Sequence, residues 1–145
     1  MLVLIVLIVA TLVLRGLGFA GVQALASWHD ASRDGLAVML LFTSSAHFTS
    51  MKEDLIRMTP SWVPNPRAMV FFTGLCEIAG AIGLVIPALQ HAAAIALILF
   101  FITVLPANIH AARAEVTLRG RPATPLWLRV PMQILFIGLA WWSAQ

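Results

Sequence analysis

The sequence predicts an all-α fold, an integral membrane helical bundle, and two observations carry that prediction. Hydrophobic residues make up 61% of the 145 residues and charged residues only 10%, with a mean hydropathy of +0.95. An average soluble domain is about half apolar and about a quarter charged. The apolar residues also fall in stretches of the length that a helix needs to cross a bilayer, about 20 residues. The composition excludes a soluble globule, a disordered chain and a nucleic-acid-binding domain, and it makes the lipid bilayer the first expected partner.

Five stretches have this length, and together they form one predicted domain over residues 1–145. They cover residues 1–26, 35–52, 67–87, 90–112 and 126–143. The first has no basic segment before its apolar residues and no small-residue cleavage site, so we interpret it as a retained helix and not as a signal peptide. Arg15 lies within it, and its side chain is expected to snorkel to the interface or to pair inside the bundle.

Polar and proline-rich segments separate the predicted spans. They predict a loop over residues 27–34, a tight turn at Pro87 and a basic loop over residues 119–125. The segment from Met51 to Pro66 mixes charged with apolar residues and ends in three prolines. It predicts a short amphipathic turn in the membrane interface, followed by an extended loop that caps the bundle.

The charges outside the spans predict the orientation. With five spans, the N-terminus and the two large loops share one side of the membrane, and the opposite side carries mainly Arg33. The cations of those two loops are Lys52, Arg57, Arg67, Arg113, Arg119 and Arg121. The positive-inside rule therefore places the N-terminus and both loops in the cytoplasm, in a membrane of the bacterial cytoplasmic (inner) type. All five tryptophans lie near span ends, as an aromatic belt requires: Trp28, Trp62, Trp127, Trp141 and Trp142.

Five polar side chains lie within the predicted spans, where an unsatisfied polar group costs several kcal/mol. Glu77 follows Arg67 by ten residues, about 15 Å along a helix axis, and so lies near mid-membrane. The other four are His47, Asn108, Arg129 and Gln133. All five belong to the cytoplasmic half of the bundle. A single polar pocket could bring them together, roofed by the proline-rich loop and Trp62.

Each of these residues has a structural and a functional interpretation. Asn108 and Gln133 are the hydrogen-bonding residues that hold membrane helices together, or ligand contacts. Glu77 is protonated, paired with Arg129, or bound to a molecule from outside. His47 is an interface histidine, or else a proton donor, a quinone ligand or a haem ligand.

Metal and thiol chemistry receive little support. The four histidines include no pair spaced four residues apart, so we expect no metal site and disfavour haem. The single cysteine, Cys76, has no second thiol for a disulfide or a Cys-x-x-Cys motif. Gly74, Gly80 and Gly83 permit either close helix packing or the approach of a flat ligand.

An ordered series of motifs resembles the DoxX-like family of small membrane proteins over roughly residues 37–142. The first motifs are Ala46-His47-Phe48, Met58-Thr59-Pro60, Trp62-Val63-Pro64, Gly74, Glu77-Ile78-Ala79-Gly80, Leu84 and Pro87. Pro106-Ala107-Asn108 and Leu128-Arg129-Val130-Pro131-Met132-Gln133 follow. The resemblance implies a four-helix core formed by the second to fifth spans, with the first span as an extra N-terminal transmembrane helix. The residues at the positions of the family pattern are His47, Glu77, Pro106, Asn108, Arg129 and Gln133.

The resemblance implies a redox-linked accessory role, and three hypotheses follow. The first is an accessory subunit that binds a quinone or another lipid-soluble small molecule. Its expected contacts are His47, Glu77, Asn108, Arg129, Gln133, Trp62 and Thr73. The second is an assembly or interaction subunit whose partner is a membrane or redox protein, or a second copy of the chain. The third is a membrane enzyme with Glu77 and His47 as catalytic acid and base, a component of a quinone-linked oxidoreductase.

Overall fold

The computed structural model describes residues 2–113, 117–118, 121–122 and 124–145, with side chains for 2–113 and 124–145. Its described part is helical apart from one pair of two-residue strands. The helices are α1 (Leu2–Phe19), α2 (Trp28–Phe48), α3 (Lys52–Met58), α4 (Pro66–Val85), α5 (Gln90–Arg113) and α6 (Leu126–Ser143). A short 3-10 turn, Gln23–Leu25, joins α1 to α2. Strands β1 (Thr117–Leu118) and β2 (Arg121–Pro122) pair antiparallel, with Thr117 opposite Pro122.

Three of these helices, α1, α4 and α5, are long and apolar enough to cross a membrane. The all-α prediction is therefore confirmed, and the chain has the features of a membrane protein. Helices α2 and α6 have similar lengths, 21 and 18 residues. They are more polar, because α2 begins with Asp30, Arg33 and Asp34, and α6 contains Arg129 and Gln133.

The predicted loop over residues 27–34 is wrong, because these residues form the first two turns of α2. The hydroxyl of Ser27 accepts a hydrogen bond from the Asp30 backbone N–H at 3.0 Å and donates one to the Asp30 carboxylate at 2.6 Å. This N-cap, with the serine hydroxyl held by the Asp30 carboxylate, starts the helix before its apolar residues begin. The first helix is correspondingly shorter than predicted. It ends at Phe19, and Gly21 with φ +108° makes the turn that follows.

The predicted amphipathic turn after Met51 is confirmed as α3. The chain then runs without regular structure to Asn65, whose side chain accepts a hydrogen bond from the Ala68 N–H at 3.2 Å. Pro66 occupies the first turn of α4, where a missing N–H leaves no hydrogen bond unmade.

Helix α2 packs against α1, α4 and α6, while α5 packs against α4 and α6. The largest fully buried side chains are Leu36, Met39, Leu40, Leu84 and Leu97. Helix α1 packs almost entirely on α2 and buries only Leu7. Its remaining apolar surface suits contact with lipid. We call the end of the bundle that carries α3 the α3 end, and the end where α2 begins the distal end.

Side chains of α2 and α5 close the distal end around the last turn of α6. His29 hydrogen-bonds the Trp142 carbonyl oxygen at 3.0 Å, Gln90 donates to that of Ser143 at 2.8 Å, and His91 bonds that of Ala144 at 3.0 Å. These three bonds satisfy carbonyl groups that a helix leaves free at its C-terminus.

Arg15 also points to the distal end. Its guanidinium lies 3.7 Å from the ring centroid of Phe19, one turn further along α1, and 5.5 Å from that of Trp28. Among the described residues it forms no ion pair with a carboxylate. The guanidinium is thus stacked on two aromatic rings, and its Nε atom is buried without a hydrogen-bond partner among the described residues.

Candidate functional site

The centre of the candidate site is a histidine and carboxylate pair between α2 and α4. The His47 Nε2 atom lies 3.7 Å from a carboxylate oxygen of Glu77, and the two side chains are only 11% and 12% exposed. The hydroxyl of Thr43, one turn before His47, donates to the other Glu77 oxygen at 2.9 Å. The only strongly buried carboxylate of α4 therefore faces α2, at a depth where charge needs a partner.

A backbone carbonyl fixes the tautomer of the His47 ring. The Nδ1 atom lies 2.6 Å from the carbonyl oxygen of Val70. A carbonyl oxygen can only accept, so Nδ1 carries a proton and donates it. The hydroxyl of Thr73 also donates to that oxygen, at 3.0 Å, and lies 3.3 Å from Nδ1. The Nε2 atom is left facing Glu77 at 3.7 Å, an ion-pair distance, so the imidazole and the carboxylate can hold one further proton between them.

Shared in this way, the pair has no net charge wherever the proton resides. With the proton on Nε2 the pair is imidazolium and carboxylate, and with the proton on Glu77 it is neutral imidazole and carboxylic acid. Either form is less costly inside a membrane bundle than an isolated charge. A proton can therefore move between His47 and Glu77 without changing the net charge of the pair, whereas its loss to an outside molecule leaves the pair with one negative charge.

Gly74 allows α2 to approach α4 at this point. A Cβ atom on Gly74 would lie 2.6 Å from the His47 Cβ and 2.9 Å from its Cγ. Side chains of α5 fill the corresponding space at the other two glycines: a Cβ on Gly80 would lie 2.5 Å from Leu97, and one on Gly83 would lie 2.6 Å from Ala93. All three glycines therefore serve close packing of α4.

A groove of about 310 Å³ opens beside the pair at the α3 end. His47 contributes to its wall, and Glu77 does not. The other residues that line it are Phe48, Lys52, Ile56, Arg67, Val70 and Phe71. A second, shallower groove of about 230 Å³ lies further along the loop and the outer face of α4, and its lining is almost wholly apolar.

A separate polar group joins α5 to α6. The Arg129 guanidinium donates to the Asn108 side-chain oxygen at 2.9 Å and to the Thr124 carbonyl at 2.7 Å. The amide of Gln133, which is buried, donates to the Phe101 carbonyl at 2.7 Å. These contacts correspond to the interpretation of Asn108 and Gln133 as interhelical hydrogen-bonding residues.

The structure thus divides the predicted site residues into two groups, and Trp62 belongs to neither. It brings His47, Thr73 and Glu77 together, and it places Asn108, Arg129 and Gln133 on the α5–α6 side. In the described chain, Glu77 has His47 and not Arg129 as its ionic partner. Trp62 is 72% exposed in the loop after α3 and lines neither groove. Within the same described residues, no group of three metal-ligating side chains is found.

Sequence reasoning did not place four contributors in the site. Thr43 precedes His47 by four residues, and that helical spacing is a signal that could have identified it. The Val70 carbonyl carries no signal, because a backbone acceptor is the same in every residue. Lys52 and Arg67 were assigned only to orientation, and their position on the groove depends on how α3 folds back against α4.

One comparison with known proteins identifies the family of the chain. No curated protein and no solved structure matches it at a significant level. A family model described as Domain of unknown function (DUF8561) matches residues 36–144. The match includes both polar groups and leaves α1 outside. The chain therefore belongs to the DUF8561 family.

Proposed function

We propose that this chain is an integral membrane protein that binds a lipid-soluble small molecule beside the His47–Glu77 pair. One observation carries the proposal: His47, almost buried and paired with Glu77, forms the inner wall of a groove that is otherwise apolar apart from its cations. Binding sites for small molecules are typically apolar concavities with a few convergent polar groups. A volume of about 310 Å³ suits a head group with the first part of an apolar tail.

A quinone is the first candidate for this ligand. Its carbonyl oxygen needs a hydrogen-bond donor, and its reduction takes up protons. His47 can supply this donor from Nε2 when it carries the proton of the pair, with Glu77 as its counter-charge. Thr43 and the Val70 carbonyl hold the pair in position. In this proposal the protein is a redox-linked accessory subunit, the role that the resemblance to the DoxX-like family implies.

The proposed architecture completes this interpretation. Helices α2, α4, α5 and α6 form the four-helix core of the DoxX-like type, and α1 adds a fifth span. The motifs that resemble that family lie on these four helices and their connections. Most of the cations lie toward the α3 end, which supports a cytoplasmic location for that end and for the N-terminus, in an inner membrane of the bacterial type.

The test is to purify the protein in mild detergent and to identify the lipids that it retains by mass spectrometry. We expect a quinone to be enriched over a control membrane protein of similar size. His47→Gln and Glu77→Gln should each abolish the enrichment.

The matched control is Ser45→Ala, two residues from His47 on α2. Its hydroxyl is exposed and bonds only the Phe42 carbonyl of its own helix. This variant should retain the wild-type lipids. If no lipid-soluble molecule is enriched, and Glu77→Gln leaves the retained set unchanged, the proposal is refuted.

An assembly or interaction subunit is the second candidate. The α5–α6 contacts favour it, because Arg129, Asn108 and Gln133 satisfy one another and neighbouring carbonyls without a ligand. Gly138 on α6 adds an exposed position where a second helix could approach closely, since no neighbour lies within 4 Å of its missing Cβ. The partner would be a membrane or redox protein, or a second copy of the chain.

Co-purification separates the two candidates. An interaction subunit should lose a co-purifying protein, or its own dimer, when Gly138 is replaced by Leu. The retained lipids should not change. A small-molecule-binding subunit should show the opposite pattern.

A further inference from the structure

The groove at the α3 end carries positive charge that a neutral ligand would not use. Lys52 begins α3 and Arg67 lies in the first turn of α4, and both line the groove. Among the described residues, Lys52 forms no ion pair. Arg67 donates to both oxygens of Glu53 at 3.3 Å, but its side chain is 72% exposed. An exposed pair of this kind is weak, so Arg67 is available to a second anion.

The two cations lie where the apolar helices end. Phe48 is the last residue of α2 and Pro66 is the first of α4, so Lys52 lies just beyond the end of α2 and Arg67 lies in the first turn of α4. In the proposed five-span architecture this is the level of the lipid phosphates. From there the groove continues along Phe48 and Phe71, whose rings pack edge to face at 5.6 Å and are partly exposed. The groove therefore presents cations at head-group level and aromatic surface at acyl-chain level.

We propose that this groove binds an anionic phospholipid. Its phosphate lies between Lys52 and Arg67, and the first part of one acyl chain lies along Phe48 and Phe71. His47, at the inner end, donates to a head-group or ester oxygen. The inference rests on the proposed function in that it takes the groove as the ligand site, and it narrows the ligand from any lipid-soluble molecule to an anionic one. A neutral quinone head would leave Lys52 without a counter-charge and Arg67 with only its exposed pair to Glu53.

The experiment is a lipid titration of the purified full-length protein, followed by native mass spectrometry. The probes are phosphatidylglycerol, phosphatidylethanolamine with the same acyl chains, and a quinone. We expect the wild type to bind phosphatidylglycerol most tightly. The double variant Lys52→Gln/Arg67→Gln should bind it roughly tenfold more weakly, because each cation near a lipid phosphate contributes to affinity. Its binding of phosphatidylethanolamine should change far less.

Two further variants control for folding and for net charge. Arg57→Gln removes a cation from the same short helix, and Arg57 pairs with Asp54 and does not line the groove. It should bind phosphatidylglycerol within about twofold of the wild type. Glu53→Gln removes the carboxylate that competes for Arg67 and should tighten phosphatidylglycerol binding severalfold. A misfolded protein cannot produce that gain.

The outcomes separate the inference from the proposed function. Equal binding of phosphatidylglycerol and phosphatidylethanolamine by the wild type, or full phosphatidylglycerol binding by the double variant, overturns the inference. If His47→Gln abolishes quinone binding in the same series, the proposed function stands without it. If the double variant loses phosphatidylglycerol while His47→Gln retains every ligand, the inference holds and the role proposed for His47 fails.

Discussion

The imidazole of His47 and the carboxylate of Glu77 face each other across the α2–α4 interface, with Nε2 3.7 Å from Oε1. The Val70 carbonyl holds the opposite side of the ring at 2.6 Å, so the ring cannot turn away without losing that bond. We therefore expect the two residues to act as one unit in stability.

A double-mutant cycle should reveal this coupling. His47→Gln and Glu77→Gln each leave one buried partner unmatched, so each should lower the free energy of unfolding by about 3 kcal/mol. The double variant should lose less than the sum, with a coupling of about 1 to 3 kcal/mol, because it removes both partners together. The measurement is denaturant unfolding in mixed micelles. A cycle of Glu77→Gln with Ser45→Ala is the control, and additivity in the His47 cycle would contradict the pairing.

Gly74→Ala should force α2 and α4 apart, because the new Cβ would lie 2.6 Å from that of His47. We expect a loss of about 1 to 3 kcal/mol in the free energy of unfolding. Gly138→Ala makes the same change on α6 where no neighbour lies within 4 Å, and it should be neutral or stabilising by up to about 1 kcal/mol. Thermal unfolding of the two variants in one detergent compares them directly. Similar midpoints would show that the contact does not limit packing.

Gln133→Leu should weaken the α5–α6 contact. It removes the 2.7 Å bond to the Phe101 carbonyl and should cost about 0.6 to 2 kcal/mol, the range found for bonds between membrane helices. Thr103→Val is the control, since that exposed hydroxyl bonds only the Phe100 carbonyl of its own helix. Lipid retention should not change in either variant. A loss of quinone from Gln133→Leu would assign this residue to the ligand site after all.

Ser27→Ala should destabilise the start of α2 in a pH-dependent way. Asp30 lies outside the predicted span, and its pKa is lowered from 3.8, chiefly by the hydrogen bond from Ser27. A lowered pKa in the folded state stabilises the fold above about pH 4, and this contribution is lost as the pH falls through the folded-state value. The variant should therefore lose about 1 kcal/mol at pH 7 and less below pH 4.

Thermal midpoints measured at pH 7 and at pH 3.5 check this. Ser50→Ala, an exposed serine between α2 and α3, is the control. An equal loss for Ser27→Ala at both pH values would show that the effect comes from the backbone cap alone.

Cysteine labelling should reveal the orientation. In a Cys76→Ser background, Ser61→Cys marks the α3 end and Ala88→Cys marks the distal end. Both positions are exposed in connections between helices. With the α3 end in the cytoplasm, a membrane-impermeant maleimide should label residue 88 in intact cells and residue 61 only after permeabilisation. The reverse pattern would invert the topology.

Hydropathy along the sequence predicts where each helix lies more accurately than it predicts the residue at which the helix begins. Hydropathy identifies where apolar residues cluster, and the turns from Trp28 to Asp34 are helical without being apolar. The sequence feature that starts this helix is local: the Ser27 side chain caps the N–H of Asp30, three residues later. Composition over a long window does not register that spacing, so the first turns of α2 were assigned to a loop.

The composition of the candidate site could be predicted only in part, for a second reason. Depth along each helix follows from counting residues, so Glu77 and Arg129 were placed in the same half of the bundle. The rotation of each helix about its axis decides which neighbour a side chain meets, and packing fixes that rotation. On α4, Gly74 and Glu77 lie on the face that contacts α2. On α6, Arg129 faces Asn108 of α5.

The three bonds that hold the last turn of α6 make the two ends of the bundle mechanically unequal. His29, Gln90 and His91 fasten three helices together at the distal end. At the other end, exposed and separable contacts such as Arg67 with Glu53 link α3 to α4. Because the bundle is fastened at its distal end, the α3 end is the one that can open. Opening of the groove would then need no rearrangement at the distal end, and ligand exchange would take place with the rest of the core packed.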